Sequence, residues 1–289
     1  MLTSLISYVR SRLHPLHRMR RSKYIRPIIK SFDWTVCADV GISRPIYLKA
    51  LTHAPYYMLK DRLDMELRRT FSVLVASIGR GGIFFDVGAN LGIFSWLALS
   101  ERPDIKVISI EPDPRLASLM VRTSTKWMSA AHHIIPKAVA DRVERREFEL
   151  DETTTATGRL VANTNAPSFQ EAHFGVRGKV ISVDTITLDK LAQDFGVPDI
   201  IKIDVEGAEQ SVLDGAAKLF AAARPILLLE SFPPQSDGIH SKLKRLGYQL
   251  FDAERHQEAT KMSTNIAAVP IAVSAHGLGN NLYSLMSSH

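Results

Sequence analysis

With 289 residues, 45% of them apolar and 23% charged, the chain has a globular composition and enough length for one α/β domain plus an extension. Its net charge of +6 is unevenly placed: residues 1–30 carry eight Lys/Arg and no acid, and taking those eight from the total leaves residues 31–289 at −2. A body so near neutrality has no phosphate-backbone footprint, which argues against nucleic acid as a partner, and the single cysteine, Cys37, excludes an internal disulfide and suits a reducing, cytoplasmic setting.

In the basic arm, Leu2, Leu5, Ile6, Val9 and Leu13 fall at helical spacing among the cations, so a short amphipathic helix is expected. It is too short and too charged to span a bilayer. It also lacks a positive stretch ahead of its apolar run and a clear small-residue cleavage site, which argues against a secretory signal. A solvated or domain-packed extension is the plainer reading. Peripheral contact with an anionic membrane surface or an acidic partner is the sharper one. Residues 1–72 are expected to form this extension with a helical lead-in, and residues 73–289 the main domain.

From residue 83 onward, short apolar runs alternate with helical patterns, which specifies a largely parallel sheet wrapped by helices. The first strand is expected at Ile83 to Val87, followed by a helix through Phe94, Leu97 and Ala98. The second is Lys106 to Glu111, after which Asp113 reads as an N-cap and Pro114 as the first residue of a helix. A third strand near His133 to Pro136 leads into Ala138, Val139, Ala140 and Asp141. Residues 151–180, rich in Thr, Asn and Gly, break the rhythm and read as a long surface excursion of the kind that forms lids. A helix from Leu188 to Phe195 then precedes a fourth strand, Asp199 to Asp204, and a fifth follows at Pro225 to Glu230. Tyr248 to Phe251 and Asn265 to Val273 supply closing antiparallel strands.

In such sheets, ligands sit beyond the carboxyl ends of the strands, where the strand order reverses. The residues at those ends are Asp86, Gly88 and Asn90, then Glu111, Asp141, Asp204, Glu206 and Glu230. Gly88, Asn90 and Gly92 follow the first strand directly and open a helix, the pattern of a loop that cradles a nucleotide-like ligand on free N–H groups. Glu111, 25 residues past Asp86, suits a pair of ribose hydroxyls, because a carboxylate accepts two hydrogen bonds at once. A dinucleotide fits less well. Its fingerprint wants glycine at the second position for close approach of a pyrophosphate, and here Asn90 carries a side chain.

The segments Asp-Val-Gly-Ala-Asn-Leu-Gly (86–92), Ile-Glu-Pro-Asp-Pro (110–114), Ala-Val-Ala-Asp (138–141), Val-Asp-Thr-Ile-Thr-Leu-Asp (183–189), Ile-Lys-Ile-Asp-Val-Glu-Gly-Ala-Glu (201–209) and Arg-Pro-Ile-Leu-Leu-Leu-Glu (224–230) occur in order. Over about residues 80–273 the chain thereby resembles the FkbM family of S-adenosylmethionine-dependent methyltransferases. The resemblance implies a Rossmann-like class I methyltransferase fold, with a largely parallel seven-stranded sheet and an antiparallel closing strand. It implies a loop of Gly88, Ala89, Asn90 and Gly92 under the methionine portion of the cofactor, anchored by Asp86. Glu111 would hold the ribose, Pro112 and the Ala138-Val139 turn would sandwich the adenine, and Asp141 would border it. Asp204 and Glu206 would lie near the sulfonium methyl as the catalytic pair, activating a hydroxyl as base or through a divalent metal ion such as Mg²⁺. The implied acceptor is a small molecule or glycan, with a polyketide-type natural product as the alternative. A nicotinamide-dependent oxidoreductase and a non-catalytic binding module are the rival readings.

Other features have simpler explanations. Phe232-Pro233-Pro234 is expected to be a turn, His132 and His133 structural or exposed, and His173 an ordinary loop residue. Lys202, inside an apolar strand, requires an acidic partner, for which Asp204, Glu230 and the cofactor carboxylate are the candidates.

Overall fold

The computed structural model describes residues 24, 28–29, 31–161, 168–233 and 235–271. The expected amphipathic helix of residues 2–13, Pro234 and the side chain of His173 lie outside what is described. Strands β1 (Thr35–Ala38) and β2 (Ile46–Lys49) form an antiparallel hairpin, followed by helices Ala54–Leu59 and Met65–Ala76. The alternating part of the chain then gives β3 (Ile83–Val87), β4 (Lys106–Ile110), β5 (His132–Ile135), β6 (Ala138–Val139), β7 (Arg145–Glu149), β8 (Arg159–Leu160), β9 (Val180–Ile186), β10 (Ile200–Ile203), β11 (Ile226–Glu230), β12 (Tyr248–Asp252), β13 (Gln257–Glu258) and β14 (Asn265–Pro270).

The main sheet has the order β13-β12-β14-β11-β10-β3-β4-β5. Its five strands from β11 to β5 pair in parallel, while β14 inserts antiparallel between β11 and β12. This is the Rossmann-like α/β arrangement with its antiparallel closing strand. It holds eight strands rather than seven, because the two-residue β13 adds an edge. The order reverses between β3 and β10, so the ends of those two strands form the crevice.

Phe84 and Phe85 point to opposite faces, as successive strand residues must, and each anchors a separate core. Phe84 packs with Phe71, Leu74, Trp96 and Met120, and Phe85 with Ile108, Leu188, Leu213 and Leu229. Val40, Ile46, Leu48 and Leu67 belong to the first of these cores. Full burial of such side chains contributes about 1.5–3 kcal/mol each, so the segment ahead of β3 is fastened to the sheet. Helix Met65–Ala76 spans the junction between residues 72 and 73.

The described residues of the 151–180 segment, 151–161 and 168–180, are more ordered than its composition suggests. They include β8, which pairs with β7, and the helix Phe169–Phe174, whose N-cap Ser168 accepts from the N–H of Glu171. With β6 and β9 these elements form a second, four-stranded sheet of order β6-β9-β7-β8. Of the expected structural residues, His132 is buried, its Nε2 lies 2.6 Å from Ser109 Oγ, and loss of water lowers its pKa to about 3.

Candidate active site

β3 ends in a sharp turn set by its neighbour. Gly88 has φ +71°, and a Cβ placed there would lie 1.8 Å from the carbonyl oxygen of Asp204, so only glycine lets the ends of β3 and β10 meet. The N–H groups of Gly88 and Ala89 both donate to the Ile110 carbonyl, at 3.0 and 3.1 Å, which locks the turn onto β4. Asn90 follows in the left-handed region at φ +54°, which asparagine tolerates better than most residues. Its N–H donates to Glu111 Oε2 at 2.8 Å, its amide donates to the Thr155 carbonyl at 3.2 Å, and its Oδ1 is buried without a partner.

Glu111 joins the two strand ends. Oε2 takes the Asn90 N–H and Oε1 the Asp113 N–H, both at 2.8 Å, and each oxygen keeps a lone pair for a ligand. Burial pushes its pKa up to about 7 despite the two backbone donors, with Asp113 and Asp204 adding to the rise.

These elements border a cleft of about 610 Å³. Of the residues singled out in the sequence, Gly88, Asn90, Glu111, Pro112, Ala138, Asp204 and Glu206 line it. Ile110, Val139, Phe148 and Leu160 add apolar walls, and Asp113, Thr155, Ala156, Gly158, Val205 and Ala208 complete it. Asp86, Ala89, Gly92 and Asp141 are not on the lining. Asp86 is buried behind it, where Oδ2 accepts from the N–H and Oγ of Ser95, at 3.1 and 2.6 Å, in the first turn of helix Ile93–Glu101. Ala89 is itself buried. Gly92 is the N-cap of that helix at φ +75°, and a Cβ there would lie 2.9 Å from Trp96 Nε1. Asp141 is held by Ser211, Arg146 and Arg142, which keep its carboxyl below the usual carboxylate range even though burial opposes this.

The wall from residue 151 onward has its own anchor. Asp151 is fully buried, and its two oxygens accept from the N–H groups of Thr153, Thr154, Ala156 and Thr157 and from the hydroxyls of Thr153, Thr154 and Thr157. That wrap carries Thr155 to φ +63°, an unusual conformation for a β-branched residue. His53 Nε2 lies 2.8 Å from its hydroxyl. The run Thr-Thr-Thr-Ala-Thr after Asp151, dense in donors, is the sequence signal for this wall.

A second cavity of about 420 Å³ lies beside the first, lined by Asp64, Leu67, Phe94, Lys202, Ile203, Asp204, Leu228, Glu230 and Asn265. Asp204 borders both. Lys202, buried in β10, donates to Asp204 Oδ2 at 3.0 Å and lies 3.9 Å from Asp86 Oδ1, with Nζ 5.2 Å from the centre of the Phe94 ring. This answers the question of its partner. Burial alone would lower the Lys202 pKa, but Asp204 and Asp86 hold it above its ordinary value. Glu230 is pushed up to about 10 by loss of water, by the charge of Asp204 and by a hydrogen bond with that carboxyl. Glu206, at φ +52°, rises to about 8 through loss of water and repulsion from Asp204 and Glu209. Among the described residues no group of three or more His, Cys, Asp or Glu side chains is placed to hold a metal ion.

Comparison with known proteins bears on this geometry. A family model described as a methyltransferase FkbM domain matches residues 86–250. No curated protein matches the chain. Among solved structures the chain is similar to a methyltransferase FkbM from Methylobacillus flagellatus KT, with 17% identity over 76% of this chain and 54% of that one, and a TM-score of 0.45. It thus spans about half the length of that protein. It is also similar to precorrin-6y C5,15-methyltransferase from Geobacter metallireducens GS-15, with 12% identity over 71% and 87% of the two chains and a TM-score of 0.42. A third similar structure is magnesium protoporphyrin IX methyltransferase from Synechocystis PCC 6803 with bound SAM, with 12% identity over 73% and 83% and a TM-score of 0.39. With more than half of its length matched by the family model, the chain belongs to the FkbM methyltransferase family, and S-adenosylmethionine is its cofactor.

Proposed function

We propose that this protein transfers a methyl group from S-adenosylmethionine to a hydroxyl of a sugar or glycoconjugate in the cytoplasm, with Asp204 receiving the hydroxyl proton. The observation that carries the proposal is that Asp204, alone among the described residues, lines both cavities, so that a cofactor in one would meet an acceptor in the other beside it.

The cleft fits the cofactor. The partnerless Asn90 Oδ1 is an acceptor suited to an ammonium group. Glu111 has two oxygens for a pair of ribose hydroxyls, and Ile110, Pro112, Ala138, Val139 and Phe148 offer flat apolar surface to an adenine ring. The cofactor supplies a sulfonium-bound methyl, whose C–S bond breaks as the acceptor O–C bond forms.

An alcohol attacks poorly until its proton is removed, and holding two reactants at attack distance supplies much of the remaining acceleration. Asp204 is placed to take that proton because it lines both cavities, and Lys202 Nζ, 3.0 Å away, orients its carboxyl. Glu206, raised to about 8, keeps its own proton at neutral pH and so acts as a donor rather than a base. Asp86, Ala89, Gly92 and Asp141 support the lining from behind. The eight cations of residues 1–30 suit acceptors presented at an anionic membrane surface. The near-neutral remainder speaks against a nucleic-acid acceptor.

The test is transfer of a labelled methyl group to a panel of glycans, glycolipids, polyketide-type alcohols and RNA, with and without chelator. The expected result is an O-methylated sugar, undiminished by chelator and lost in Asp204→Asn with cofactor binding retained. A methyl group found on carbon, nitrogen or RNA would overturn it.

A further inference from the structure

The acceptor cavity is completed by residues that the family model does not cover. The match spans residues 86–250, whereas Asp64 and Leu67 come from the start of helix Met65–Ala76 and Asn265 from the start of β14. Helix Met65–Ala76 is fixed to the sheet through Phe71 and Leu74, so the rim it presents is built into the fold. Leu67, Phe94 and Leu228 give this cavity an apolar side. Asp64, Asp204, Glu230 and Asn265 supply hydrogen-bonding groups.

The charge balance favours one class of acceptor. Three acids line the cavity, while its one cation, Lys202, already lies 3.0 Å from Asp204 and 3.9 Å from Asp86. Arg68, the next cation on the same helix, donates to the Val40 carbonyl at 3.1 Å. An anionic group entering here meets the carboxylates of Asp64 and Asp204, an arrangement that selects against a partner. A neutral polyol meets the reverse: its hydroxyls donate to the carboxyl oxygens that line the cavity, and its C–H face packs on Leu67 and Phe94. Glu230 shares a hydrogen bond with Asp204 and offers its remaining oxygen lone pairs as acceptors.

We infer that Asp64, Leu67 and Asn265 form the acceptor-selecting rim of the second cavity, and that it admits an uncharged pyranose while rejecting uronates and sugar phosphates. This rests on the methyl-transfer reading above.

The full chain saturated with S-adenosylhomocysteine provides the test, with saturation-transfer NMR reading the binding of neutral methyl pyranosides, the matching methyl hexuronates and the matching pyranoside phosphates. Wild type is expected to bind at least one neutral pyranoside and neither anion. Asp64→Asn, which keeps a residue tolerant of φ +53°, should admit the hexuronate. Leu67→Trp should abolish pyranoside binding while S-adenosylhomocysteine affinity, read by calorimetry, stays within about twofold. If Leu67→Trp does not fold, Asn265→Phe at the half-buried edge of the same cavity serves instead. Pyranoside binding that survives the filled cavity, equal binding of the hexuronate by wild type, or no pyranoside binding by the S-adenosylhomocysteine complex overturns the inference and leaves the cofactor assignment standing. Failure of wild type to bind S-adenosylhomocysteine overturns the functional reading itself, and the rim with it.

Discussion

Gly88 and Asp204 meet backbone to backbone: a Cβ on the first would lie 1.8 Å from the carbonyl oxygen of the second. The turn proposed to lie under the cofactor and the strand end that carries the proposed base are therefore one mechanical unit. Gly88→Ala adds strain at φ +71°, worth about 1–3 kcal/mol, and forces the ends of β3 and β10 apart. The expected outcome is a lower urea midpoint together with weaker S-adenosylhomocysteine binding in calorimetry. A variant with wild-type affinity would show that the contact is not needed.

In its proposed ribose role, Glu111 would make cofactor affinity depend on pH, and the sign follows from its surroundings. Burial places its pKa at about 7 in the free protein. Ribose hydroxyls would donate to the ionised carboxyl, so that binding lowers that pKa and releases a proton. Affinity should therefore be level above pH 7 and weaken as pH falls through 7, by up to about tenfold per unit. Glu111→Gln should abolish this dependence. It should also weaken binding by about 1–3 kcal/mol, since one backbone N–H then faces an amide donor. Calorimetry across pH 5.5–8.5, on the order of one unit either side of the transition, checks both. A flat wild-type profile would remove Glu111 from the ribose role.

How far these features were legible in the sequence depended on what each residue packs against. β3, β4, β10 and β11 are buried on both faces and read as apolar runs, interrupted only by Asp86, Ser109 and Lys202. Glu111 and Asp204 were readable because a carboxylate after such a run has no packing reason to be there. β7 was missed, since Arg145, Arg146 and Glu147 lead it and only Phe148 and Glu149 are buried. Asp86 reads the same as Glu111 in sequence, but its strand position turns it inward to Ser95, away from the cleft. Asp64 and Leu67 gave no signal. What marks them is their place beside β10, and tertiary packing alone decides that.

Asp151 tests whether the 151–157 wall serves the cofactor. Its carboxyl lies below the usual range: burial would raise it, but the Thr153 and Thr154 donors outweigh burial. That contribution to stability is present above the ordinary aspartate pKa of about 4 and is lost as pH falls through the lower folded value. Asp151→Ala strands several donors at once and should cost about 2–4 kcal/mol. It should also release Thr155 from its left-handed conformation and from Asn90. Weakened S-adenosylhomocysteine binding with the sheet intact by circular dichroism is expected. Unchanged affinity would make the wall a bystander.

Lys202 is costly to lose, because it faces two carboxylates, Asp86 and Asp204. Asp86 is 1% exposed, its Oδ1 has no hydrogen-bond partner, and the ammonium 3.9 Å away is the charge that faces it. Removing one member of a buried pair typically costs about 3–5 kcal/mol, since the other charge is left without compensation. Lys202→Met should show that loss in urea unfolding. Adding Asp86→Asn should recover much of it, because the uncompensated charge is then gone. The double variant should still be impaired in methyl transfer, since Asp204 would face no ammonium at 3.0 Å. Recovery of stability without recovery of turnover separates the two duties of this lysine: one holds the strand pair together, and the other orients the base. If the double variant is as unstable as Lys202→Met alone, the loss does not come from an uncompensated Asp86 charge, and the compensating role of this lysine toward Asp86 is overturned.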